Sequence, residues 1–377
     1  MRAGAGRWEF EERLGKTMAE TNLAGESRGS LQRVWSRLWN SPWPTLGCEI
    51  SHTGVSVARW SGDSSRPETV AWKPIPSGAI EASPLRENIR RPEDVRQAWE
   101  AALGSLGISG NGDSSRRGTE TILLIPDQAA RLFVLSFDAL PQRSSDALPL
   151  IKWRLKKSVP FEIDSAAISY YAQRLEEQWQ VVAVATPQSV VRQYEALAES
   201  FGLRPRFVIL STLAALGTLR ESGAEETGRA ALRTSPAAIE GNSVREPFAG
   251  RPGVLVGKYS PPWFSTAIVQ GGRLRLFRTV GIATDGEGLA PPASILEALY
   301  PSLAYFHDNL GGLLEKAYVS GLGANGPEIV ELLRRELDLE VAPLLGDLSL
   351  GATGLDPYQE ERYFASLLGV VRGYPLG

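Results

Sequence analysis

Along the first folded stretch of the chain, apolar and polar residues alternate with period two. Leu46, Cys48 and Ile50 are answered by Val55 and Val57 across the short step His52-Thr53-Gly54, which predicts a β-hairpin. Strands are expected at 46–51, 55–60 and 68–73, then a helix at about 92–106 that Pro92 opens and Gly107 ends. TETILLIPD follows as an unbroken apolar run up to Pro126, the pattern of a strand covered on both faces. Much later, GVLVGKY, PWFSTAIVQ and GRLRLFRTV predict three antiparallel strands with a Gly271-Gly272 turn. A helix near 292–310, the strand AYVSGLG, a helix at 326–337, the short strand EVAPL and a last helix at about 358–371 complete the pattern. Three strands, helix, strand, helix therefore occurs twice, and two such units face to face enclose a cleft.

Other segments break this rhythm. Residues 129–204 read β-α-β-β-α, with helices at 144–158 and over PQSVVRQYEALAESFGL, and form an inserted α+β subdomain. The first unit is thus 45–128 plus 205–220, and the second is 253–377. Residues 221–252 are rich in Gly, Ala, Glu, Arg, Ser and Pro without period and read as a disordered linker. Residues 1–44 read as a tail. Within it Leu31, Val34, Trp35, Leu38 and Trp39 share one face of an amphipathic helix over 30–41. Arg33 and Arg37 lie off that face, so Trp35, Leu38 and Trp39 are candidates for contact with an anionic membrane surface; packing on the chain itself is the other reading.

Composition narrows the chemistry. The 377 residues carry a formal charge of −3, so no nucleic-acid footprint is expected. Cys48 is the only cysteine, which excludes a disulfide framework. His52 and His307 are the only histidines, which argues against a His-rich metal site, and none is expected. There is no apolar run long enough to span a bilayer and no apolar core of a secretory signal, so cytoplasm is the expected location.

The most distinctive stretch is IKWRLKKSVPFEIDSAAISYYAQ, 151–173. Through Ile151, Lys152, Trp153, Val159, Pro160, Phe161, Asp164 and Tyr170 it resembles PilM, the actin-like protein of type IV pilus assembly. GLRPRFVILSTLAALGTL and AYVSGLGANG are similar to that family in order and spacing. The resemblance implies an actin-like (ribonuclease H-like) α/β fold with duplicated domains and an inserted α+β subdomain. It implies a cytoplasmic scaffold peripheral to the inner membrane. Its partner would be the cytoplasmic N-terminal peptide of a PilN-like protein, with pilus motor ATPases as further partners. The cytoplasmic part of the secretion protein GspL is a relative. Trp153, Val159, Pro160 and Phe161 are the candidate peptide-binding residues, with core of the insert as the alternative for Trp153 and Phe161.

The nucleotide chemistry of such a fold needs small residues at the phosphate turns and carboxylates for magnesium. Where the family has Asp-x-Gly-Ser/Thr, this chain has Glu49-Ile50-Ser51-His52; where it has a second Asp-x-Gly, this chain has Gly257-Lys258-Tyr259. Glu49, Ser51, Thr53, Lys258, Gly321 and Gly323 are the residues that would hold ATP and magnesium if they bind. A solvated strand-end lysine is the plain reading of Lys258. The expectation is a non-catalytic scaffold without a cofactor. The alternatives are a weak ATP binder or slow ATPase of the same fold, and a GspL-like platform or membrane-surface anchor. Self-association is left open.

Overall fold

The computed structural model describes residues 44–61, 66–108, 118–175, 178–219, 252–285, 288–346, 350, 353 and 355–372. The expected tail helix over 30–41, with Trp35, Leu38 and Trp39, and nearly all of the expected linker lie outside the described residues.

The hairpin forms as β1 (Leu46–Ile50) and β2 (Gly54–Arg59), and β3 (Thr69–Pro74) extends it. Helix α1 (Pro92–Ser105) follows. Pro92 sits in its first turn, and Val95, Ala98, Trp99, Ala102 and Leu103 make its buried stripe. β4 (Thr119–Ile125) and β8 (Leu203–Leu210) complete a five-stranded sheet of order β3-β2-β1-β4-β8, antiparallel on one side of β1 and parallel on the other. The short helix α4 (Ser211–Ala215) leaves the end of β8.

Between β4 and β8 the chain makes the insert: β5 (Arg131–Phe137), α2 (Ser144–Leu155), β6 (Ala166–Leu175), β7 (Gln178–Pro187) and α3 (Gln188–Glu199). Its sheet has the order β5-β7-β6. The second half repeats the first: β9 (Gly253–Ser260), β10 (Trp263–Gln270), β11 (Arg273–Gly281), α5 (Pro292–Leu310), β12 (Leu314–Ser320), α6 (Gly326–Leu337) and β13 (Glu340–Pro343). Its order, β11-β10-β9-β12-β13, matches the first sheet strand for strand.

Period-two alternation divides each central strand between two cores. On β4, Leu123 and Ile125 face α1, while Ile122 and Leu124 face the other half; on β9, Leu255 and Val256 divide in the same way. The core between the halves is completed by the last helix, α7 (Pro357–Arg372), through Phe364, Leu367, Leu368 and Val371. This helix follows the second sheet in sequence yet packs on α4, and a Cβ on Gly369 would collide with the backbone of Ala214. Glu361 ties the start of α7 to the preceding loop by accepting the Leu345 N–H at 2.6 Å, and burial pushes its carboxyl up to about 8.

The close approach of α7 to α4 makes a direct expectation. Gly369→Ala forces that contact apart and costs about 1–3 kcal/mol. Gly104→Ala on α1, whose Cβ would meet open space, is neutral or stabilising by up to about 1 kcal/mol. Urea midpoints of the two variants check this; equal midpoints would remove the packing argument.

Candidate functional site

The parallel strand ends of the first sheet point toward the second half, and two carboxylates leave them there. Glu49 is the last residue but one of β1, and Asp127 follows the end of β4 after Pro126. Both are buried, Glu49 at 5% and Asp127 at 9% exposure. α4 begins between them with Ser211-Thr212. The Ser211 hydroxyl donates to Glu49 Oε1, and the Thr212 backbone N–H and hydroxyl donate to the two oxygens of Asp127 at 3.0 and 2.5 Å.

The second half reaches into this cluster from β9 and β10. Lys258 and Ser265 are cross-strand neighbours. The Lys258 ammonium lies 2.5 Å from Ser211 Oγ and 3.4 Å from Glu49 Oε1, and it is only 5% exposed. Ser265 donates to Asp127 at 2.7 Å, and Ser366 of α7 shares a hydrogen bond of 3.1 Å with Ser211. Lys258 is therefore not the solvated strand-end lysine of the plain sequence reading. It is a buried cation whose charge is met by the carboxylate of the other half, the condition under which a lysine stays buried.

The turn of the first hairpin is closed on itself. Ser51 Oγ accepts the backbone N–H of Gly54 at 3.1 Å and of Thr53 at 3.4 Å, and donates to Gly54 O at 2.9 Å. The N–H groups of Ser51, Thr53 and Gly54 are thereby engaged within the turn. His52 beside them is buried, with both ring nitrogens unpartnered; burial and then the Lys258 charge push its pKa down to about 4. Opposite, Tyr259 is 1% exposed and donates from its hydroxyl to Gly288 O at 3.1 Å. Trp72 stacks on Tyr363 of α7 at 4.0 Å. Gly321 and Gly323 keep the left-handed φ of a tight turn, 82° and 61°; a Cβ on the first would strike the Tyr259 carbonyl and on the second would crowd Arg362. The cavity among Glu49, Ser51, Thr53, Lys258, Tyr259 and Arg362 measures about 10 Å³, roughly the room of one water molecule. No group of His, Cys, Asp and Glu among the described residues is placed to hold a metal ion.

A larger opening lies elsewhere, where the insert meets the first half. It measures about 490 Å³ and is lined by Leu85, Arg86, Pro160, Phe161, Val190 and Gln193, among others. Gln193 holds one wall by accepting the Asn88 backbone N–H at 2.8 Å. Leu85 is 62% exposed on that wall. Of the four residues expected to line a peptide groove, Pro160 and Phe161 border this opening, and Phe161 and Val159 both pack half-buried on the core of the insert. Trp153 stands apart at 71% exposure. Helix geometry sets this: Ile151 and Leu155 are fully buried, and a residue two positions away lies about 200° around the axis.

Sequence reasoning did not find Asp127, Ser211, Ser366 or Leu85. The signal for Asp127 was its place at the end of the most apolar strand, where open α/β sheets put their ligands. Ser211 and Ser366 carried none, because their role comes from a neighbour 155 residues away in one case and 162 in the other.

Two facing sheets of identical order, with an α+β insert after the fourth strand, define the actin-like α/β class. Within it, the chain shares its fold with a chain of a PilM-PilN type IV pilus biogenesis complex: TM-score 0.63, 18% identity, 88% of this chain and 99% of the other. The resemblance read from residues 151–173 is thus met at the level of the fold. The cytoplasmic domain of EpsL, an inner membrane component of the type II secretion system of Vibrio cholerae, aligns at TM-score 0.40 and 10% identity over 73% of this chain and 80% of that one. A Bacteroides thetaiotaomicron protein with actin-like ATPase fold and unknown function aligns at TM-score 0.44 and 9% identity over 78% and 89%. No family model and no curated protein matches the sequence.

Two expectations test the cluster. Lys258→Met leaves Glu49 buried without its cation and costs about 3–5 kcal/mol in urea unfolding, and Glu49→Gln added to it recovers most of the loss. Additive losses in the double variant would mean that the pair is not coupled. For His52 the folded pKa lies below the ordinary 6.5, so its contribution is present above pH 6.5 and is lost as pH falls toward 4. His52→Asn should lose less stability than the parent between those pH values; parallel curves would contradict this.

Proposed function

We propose that the protein is a PilM-like assembly scaffold on the cytoplasmic side of the inner membrane, and that it binds an extended peptide from a PilN-like membrane protein rather than turning over nucleotide. The observation that carries this reading is the contrast in room: about 490 Å³ in the groove beside Pro160 and Phe161, against about 10 Å³ between the two halves. A drug-sized ligand needs several hundred Å³, roughly 300 or more. The residues present do not fit a magnesium-bound triphosphate. The carboxylate that would face the metal is held by the Lys258 ammonium. The turn that would cradle phosphate directs the Thr53 and Gly54 N–H groups to Ser51 Oγ.

In this reading Phe161 and Leu85 supply apolar contact for alternate side chains of an extended segment, and the proline-bearing edges at Pro160 and Pro187 keep the groove rigid. The fold shared with a chain of the PilM-PilN complex supports the same partner class. No helix among the described residues is long and apolar enough to cross a membrane, so attachment through a membrane-spanning partner suits this part of the chain.

The test is a titration with a labelled peptide matching the cytoplasmic N-terminal segment of the PilN-like partner. Phe161→Ala and Leu85→Glu should each weaken binding by about tenfold or more, and Trp153→Ala should leave it within about twofold. Unchanged affinity in both groove variants would exclude the groove. Melting with and without Mg-ATP tests the cleft in parallel: no shift is expected, whereas a rise of several degrees would favour the ATP-binding alternative.

A further inference from the structure

The exposed Trp153 is unusual for its residue type, which is highly buried on average. Its helical neighbours give it a character. Pro149 lies four residues before it and Lys156 and Lys157 three and four after it, and all are exposed. Arg154 is exposed and Lys152 half-buried on the adjoining sides. None of the ion pairs among the described residues includes these four cations. Glu162 and Asp164 are the acidic groups nearest in sequence beyond the helix end. In a chain of net charge −3, these four cations outnumber the three carboxylates of the stretch, Asp146 on α2 and Glu162 and Asp164 beyond it, so the sign is reversed locally.

We propose that this face of α2 docks on an anionic bilayer surface, with the Trp153 indole at headgroup level and Lys152, Arg154, Lys156 and Lys157 against lipid phosphates. An indole with an apolar body and one N–H suits the boundary between acyl chains and water. Each lysine or arginine near an anionic surface strengthens attachment about fivefold. An acidic protein partner fits less well. Three of the four cations are lysines, flexible point charges matched to mobile headgroups, whereas recognition of fixed carboxylates favours the arginine fork. Trp153 also lies outside the groove that holds Pro160 and Phe161, so it meets no concave wall there. Lys157 is three residues from Pro160, which places a bilayer beneath α2 close to the groove mouth. The docking itself does not depend on peptide binding.

Flotation of the full-length protein with vesicles tests it. Vesicles of phosphatidylglycerol and phosphatidylethanolamine should carry the protein at low salt, and phosphatidylcholine vesicles should not. Raised salt should release it. Lys156→Gln with Lys157→Gln should weaken attachment about twenty-five-fold, at about fivefold per charge, and Trp153→Ser should weaken it with the charge intact. Both variants lie on an exposed face, and an unchanged melting temperature verifies that they fold. Attachment equal to the parent in both variants overturns the proposal. So does its loss in a Trp35→Ser, Trp39→Ser chain alone, which assigns attachment to the tail. Retention on polyglutamate without vesicle binding assigns the face to an acidic polypeptide and overturns it as well.

Discussion

The placement of one ammonium group organises this molecule. Lys258 crosses from the second sheet to Glu49 and Ser211 of the first, and all three are almost fully shielded from water. A buried lysine without a counter-charge would be strongly disfavoured, so the two halves have to meet where the carboxylate is. The contact is also directional, because Ser211 accepts from the ammonium and donates to Glu49. Beside it, Asp127 receives hydrogen bonds from Thr212 of its own half and Ser265 of the other. Two adjacent strand ends thus carry two carboxylates, and each is satisfied partly from across the divide.

Helix α7 gives the same constraint an apolar counterpart. Its Phe364, Leu367, Leu368 and Val371 fill the core between the sheets, and its Ser366 joins the polar cluster. A single turn of α7 therefore contributes to both the greasy and the charged parts of the junction. The consequence is a division of labour. Between the halves the structure leaves about 10 Å³ beside this cluster, while the larger opening, about 490 Å³, lies between the first half and the insert, around Phe161 and Leu85. Under the proposed function, binding and rigidity are assigned to different clefts of one fold.

Much of the architecture could be read along the chain. The alternation at Leu46–Val57, the apolar run ending at Ile125 and the repeat of three strands, helix, strand anticipated both sheets, because burial imposes period two on strands and period 3.6 on helices. The departures at Glu49, Lys258 and Tyr259 also stood out, since they place large or wrongly charged groups where small residues and carboxylates belong. Which groups they meet in the fold was not legible. Lys258 looked like a solvated strand end, because nothing nearby in sequence announces the Glu49 that lies 209 residues away. Trp153 was grouped with Phe161 as a candidate for one groove, and helix geometry leaves it exposed outside the opening that Phe161 borders.

Local pattern by itself determined the elements, their duplication and the position of the insert, for these depend on periodicity and turn chemistry within short windows. Only the tertiary structure decided which polar residues meet. It paired Lys258 with Glu49, set Ser211 between them with Ser366 beside it, and brought Leu85 and Phe161 to one opening. The physical reason is that a charge or hydroxyl carries the same letter whether it is solvated or buried, and its energy is set by partners that only the folded chain brings within a few ångströms.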